Sequence, residues 1–167
     1  NNNVIRELEK LGCEVYLAPM AEWLFYTHKI RTIDAKEKID LFSLVKYFII
    51  GKVQKYIEHK FSSIFEHFLD NLHEPEIKDI FEYASPYMHY SFRGEAILSI
   101  GKAIDFINKG CSGIVSVMPF TCMPGTITAA ILKKIKKDFS NIPILNIAYD
   151  GLEEATTRIR LEAFAYQ

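Results

Sequence analysis

The sequence predicts an α/β fold: a Rossmann-like, doubly wound parallel sheet interrupted by a helical insertion. Three observations predict it. Compact apolar runs at 14–18, 113–118 and 144–148 read as buried parallel strands. The first two follow one signal, Lys10-Leu11-Gly12-Cys13 and Asn108-Lys109-Gly110-Cys111. Between those two runs lies a long stretch rich in Phe, Tyr and Ile whose apolar spacing is helical.

In chain order, a first helix covers Val4 to Leu11 and stops at Gly12, which supplies a left-handed cap before the strand Glu14 to Ala18. Residues 34–90 form the insertion. Apolar residues at 49, 53, 56, 57, 61, 64, 65, 68, 69 and 72 keep a three-to-four spacing and mark one face, on which Phe61, Phe65, Phe68 and Leu69 are expected to be buried. Gly51 weakens the first long helix there, and Pro75 and Pro86 punctuate the region. The segment reads either as a lid over the carboxyl ends of the strands or as a thickening of the core. A helix from Gly94 to Asn108 then leads back to the strand Gly113 to Met118. Pro124 opens the next helix, to Phe139, because proline suits a first turn. The strand Ile144 to Ala148 and a helix from Gly151 to Tyr166 complete the pattern. The α/β domain is therefore expected at 1–33 and 91–167. The chain opens on a helix and closes inside a helical pattern, so we expect a piece of a longer protein.

Composition narrows the function classes. With 167 residues, 49% hydrophobic and 25% charged, the chain suits one globular domain carrying an insertion. A net charge of −1 argues against nucleic acid as the main partner, because phosphate binding draws on a basic excess. No apolar run approaches the ~20 residues that cross a bilayer, so no membrane partner is expected. Three irregularly spaced cysteines do not make a secreted disulfide framework, and the cytoplasm is the expected compartment.

Those cysteines divide into two sets. Cys13 and Cys111 start strands and read as small apolar core residues, expected to be buried. Cys122 stands in Pro119-Phe120-Thr121-Cys122-Met123-Pro124-Gly125, where a strand hands over to a helix. Open α/β sheets bind ligands at that edge, and a helix amino end favours a thiolate. Three readings stay open: an inert loop cysteine, a nucleophile needing a base within reach, and a metal or cluster ligand needing further thiolates. Glu22 and Trp23 follow the first strand at the same edge, with Trp23 read as a packing residue. His59 and His67 are eight apart and read as solvated, and no His-x-x-x-His or Cys-x-x-Cys pattern occurs.

Four fragments carry a resemblance: 12-GCEVYLAPMAEWLFY-26, 90-YSFRGEAILSIGKA-103, 113-GIVSVMPFTCMPGT-126 and 147-IAYDGLEEATTRIRLEAF-164. Together they resemble the C-terminal, dehydratase-like part of the large proteins related to 2-hydroxyacyl-CoA dehydratase activators, the CoA-substrate-specific enzyme activase family. The resemblance implies anaerobic metabolism in which an ATP-hydrolysing activator passes an electron into a cysteine-bound iron–sulfur cluster. It implies a 4Fe-4S cluster in the full-length parent, held in part by Cys122, with none expected in this piece alone. The remaining domains of the parent, an acyl-CoA dehydratase or an acyl-CoA are the implied partners. No Gly-rich phosphate loop is present, so ATP binding is not expected here. Glu95 matches the family's Gly-Glu position and reads as catalytic or as a first-turn acid. Asp150, at the end of the third strand, reads as a group orienting the site or as a helix cap. Arg160 is a candidate for holding an anionic group, and Glu162 reads as a surface residue. The alternative function is a non-catalytic module that recognises a partner protein or an acyl-CoA.

Overall fold

The computed structural model describes residues 2–65, 74–149 and 155–167. The chain divides into two compact units, one made of Asn1–Ala18 with Phe81–Gln167 and the other of Pro19–Ile80. The described elements are α1 (Asn2–Lys10), α2 (Ala21–Glu37), α3 (Leu41–Phe65), α4 (Ile77–Ala84), α5 (Ala96–Asn108), β1 (Ile114–Pro119), α6 (Met123–Asp138), β2 (Ile144–Tyr149) and α7 (Ala155–Ala165). No described helix is long and apolar enough to cross a membrane.

The fold expectation needs correcting. Among the described residues the sheet has two strands, β1 and β2, paired in parallel from Ile114↔Ile144 to Pro119↔Tyr149. The chain is mostly helical, and this is not a doubly wound, Rossmann-like sheet. The expected first strand, 14–18, is irregular chain. A central parallel strand needs cover on both faces. Here Val15 alone packs against the core, while Tyr16 is 50% and Leu17 63% exposed.

Both glycine signals act as helix stops. Gly12 (φ +85°) and Gly110 (φ +89°) take the left-handed conformation, where a side chain is strained. The amides of Cys13 and Cys111 then reach back to the carbonyls of Leu8 and Phe106, each at 3.0 Å. That five-residue reach closes a Schellman-type end and sets each cysteine just past its helix. Cys13 and Cys111 are half-buried, against the expectation of full burial.

Alternation along the strands divides the first unit into layers. Val115, Val117, Leu145, Ile147 and Tyr149 face a core completed by Val4 and Leu8 of α1 and Leu161 of α7. Gly125 of α6 approaches Met118 from the other side, so that an added Cβ would lie 2.8 Å from the Met118 Cβ. Tyr87 ties the end of this layer together by donating its hydroxyl to Asp138 Oδ2 at 2.9 Å. Burial first, and then that hydrogen bond, push the Tyr87 phenol up to about 12. A folded value above the ordinary 10.0 means that this contribution is present below pH 10.0 and is lost as pH rises towards about 12. Titrated by its ultraviolet absorbance, the chain is expected to lose its latest-ionising tyrosine on Tyr87→Phe. An unchanged titration would show that the contact does not hold in solution.

In the helical unit, α3 begins where Asp40 accepts hydrogen bonds from the Ser43 amide (3.1 Å) and hydroxyl (2.6 Å). That cap stabilises the carboxylate and holds Asp40 below its usual range. α2 packs along α3. The expected apolar face of α3 is present but not buried: Phe61 is 62% exposed, and Ile49, Val53, Tyr56 and Ile64 are also exposed. Phe68 and Leu69 lie outside the described residues, as does the side chain of Phe65. The reason lies in which side meets α2. Gly51 turns towards α2, and an added Cβ there would lie 3.0 Å from the His28 ring. The more apolar side is therefore turned outward.

Candidate functional site at the strand-to-helix junction

β1 ends at Pro119, and the Phe120 amide bonds the Tyr149 carbonyl at 2.6 Å, carrying the parallel ladder one step beyond the strands. Thr121 then takes a left-handed conformation (φ 64°), unusual for a β-branched residue. Such backbone strain is of order 1–3 kcal/mol and clusters at functional sites. Cys122 follows in extended geometry as the N-cap of α6, and its side chain makes no capping hydrogen bond. Its carbonyl accepts from both the amide and the hydroxyl of Thr126, each at 2.9 Å. Pro124 lies in the first turn, where a missing N–H leaves no bond unmade.

Cys122 borders a cavity of about 150 Å³ that is also lined by Glu95 and Ser99 at the start of α5, Ser116 to Pro119 of β1, and Pro124, Gly125 and Thr128 of α6. Of the three residues expected at the site, Cys122 and Glu95 both line this small hollow at the carboxyl edge of the strands. Asp150 lies outside the described residues. Arg160 is not in this hollow; its Nη2 donates to the Asn146 carbonyl of β2 at 2.6 Å. Glu162 is bound to Arg158 Nε at 3.1 Å. Glu22 and Trp23 belong to the helical unit, Glu22 buried and Trp23 exposed. His59 lies on α3, and His67 is outside the described residues. Ser99, Ser116 and Thr128 were not legible as site residues. Ser99 had one signal, its place four residues after Glu95 and hence on the same helical face.

The Cys111 thiol lies outside this hollow. Burial, and then the Asp105 carboxylate, push the Cys111 thiol up, with Lys109 opposing. Less thiolate forms at neutral pH, and the thiolate is the form that alkylates. With iodoacetamide at pH 7.5, Cys111 is expected to label after Cys122, catching up as pH rises. Equal rates throughout, read by mass spectrometry, would contradict this.

A second hollow, of about 1200 Å³, lies within the helical unit between α2 and α3. It is lined by His28, Lys29, Lys52, Gln54, Glu58 and His59 among others, and burial, then Lys29, lower the His28 value.

Among the described residues, the charged or thiol donors lining the junction are Cys122 and Glu95. No group of three or more His, Cys, Asp or Glu side chains that would hold a metal occurs among the described residues. An iron–sulfur cluster is normally held by four protein ligands, mostly cysteine thiolates, so the described residues do not fit a cluster by themselves. No family model, curated protein or solved structure matches the chain.

Proposed function

We propose that this chain is a segment of a protein of the 2-hydroxyacyl-CoA dehydratase activator type, in which Cys122 contributes one thiolate to an electron-transferring iron–sulfur centre. The observation that carries the reading is the pairing of Cys122 and Glu95 around one hollow at the strand edge. A ligand thiol must stand clear of its own backbone. Cys122 does so, because its side chain makes no capping bond. The remaining ligands belong to other parts of the parent, and Glu95 lines the same hollow as Cys122. The test is anaerobic iron and sulfide analysis of the parent protein. Cys122→Ala is expected to lower bound iron and sulfide, and Cys111→Ala to leave both unchanged. Iron content that survives Cys122→Ala would sink the assignment.

One observation favours a second reading, in which the helical unit recognises a partner: α3 turns its apolar face outward. A long exposed apolar stripe on a helix marks an interaction surface.

A further inference from the structure

Resting on this second reading, we infer that the outward face of α3 docks an acidic amphipathic helix of a partner protein. Phe42, Ile49, Val53, Tyr56 and Ile64 recur at helical spacing, and each is more than half exposed. Within this 25-residue helix the stripe from Phe42 to Ile64 runs over roughly 33 Å. Lys46 and Lys60, both exposed, fall on the midline of the stripe by the same spacing, fourteen positions or roughly 21 Å apart. Lys60 lies 5.8 Å from the centre of the Tyr56 ring, so its charge sits over the apolar surface. α3 carries four lysines and one acid, Glu58, which lines the hollow between α2 and α3. The outward face is thus apolar and basic.

Charge decides between the possible occupants. A second copy fits by shape. An antiparallel pair about Val53 brings Phe42 to Ile64. The same dyad sets Lys46 against Lys60 twice, and a parallel pair sets each lysine against its own copy. Like charges placed opposite each other repel, so the two lysines disfavour self-pairing in these two registers. A lipid surface fits less well, because an interfacial helix keeps its lysines on the polar face, whereas these two stand on the apolar midline. A helix with apolar anchors at three-to-four spacing and carboxylates two heptads apart satisfies both features.

The test uses a fluorescein-labelled synthetic peptide of three heptads, Leu at its two core positions and Glu flanking them, with a Lys-flanked counterpart. The whole chain is expected to bind the Glu peptide in preference to the Lys peptide, and added salt is expected to weaken that binding. Lys60→Glu is expected to weaken it roughly tenfold, the order seen for one desolvated charge pair. Lys60→Glu should also make the chain self-associate in sedimentation, since Lys46 of one copy then meets a carboxylate of the other. Circular dichroism confirms that the variant is folded. Equal binding of both peptides overturns the inference. So does binding of the unaltered chain to phosphatidylserine vesicles, or self-association of the unaltered chain that Val53→Asp abolishes. Those last two results leave the interaction reading standing. Resistance of Val53→Cys to thiol labelling would show that the face is covered within the chain, and both then fall.

Discussion

Ile147→Ala is expected to destabilise the chain by about 2–5 kcal/mol, the range for removing a large aliphatic group from a packed core. Ile147 is 0% exposed and stands in the middle of β2. It belongs to one cluster with Val4 and Leu8 of α1 and Leu161 of α7. A two-stranded sheet is marginal by itself in water, so the helices packed against it supply the cover that a third strand would have given. Truncation at Ile147 opens a cavity where strand and two helices meet. Urea unfolding followed by circular dichroism measures the loss. Val53→Ala, on the open face of α3, is the control, expected within about 0.5 kcal/mol of the unaltered chain. Similar losses at both positions would mean that the face of α3 is packed in solution.

Asp105→Ala is expected to cost about 3–5 kcal/mol for a different reason, the breaking of a buried ion pair. Lys102 and Asp105 are each only 3% exposed on α5. Asp105 Oδ2 lies 3.1 Å from Lys102 Nζ and 3.0 Å from Lys109 Nζ. The carboxylate thus balances two ammonium groups, held by charge more than by well-directed hydrogen bonds. Without it, Lys102 loses the counter-ion at 3.1 Å while its side chain stays largely out of water. The double variant Lys102→Met with Asp105→Leu removes both charges and is expected to recover most of the loss, because apolar replacement of a buried pair is often neutral. A single variant as stable as the original chain would show that the pair with Asp105 contributes little to stability. Asp105→Ala should also speed alkylation of Cys111, since that carboxylate helps to push the thiol up.

What was legible in the sequence was what neighbouring residues enforce on one another. Gly12 and Gly110 end helices through their own backbone freedom, so both stops could be read from four residues. β1 and β2 follow from compact apolar runs, and α6 from a proline placed in its first turn. Cys122 could be placed at the strand-to-helix junction for the same reason. Its sharing a hollow with Glu95 could not, because 27 positions separate them and only the packing of α5 against α6 closes that distance. The buried pair of Lys102 and Asp105 had a local trace, their three-residue spacing, but nothing local said that both would lose water.

Two features were decided by tertiary structure alone. The run 14–18 carries the same apolar signal as the two real strands, yet it forms none. A strand exists only where another strand's amides and carbonyls meet it, and that partner is never local. The spacing along α3 correctly marked a face at Ile49, Val53, Tyr56 and Phe61. Periodicity states which residues share a side of a helix; burial depends on what the fold brings against that side. Here α2 meets the side bearing Gly51, and the apolar side is left to water or to a partner.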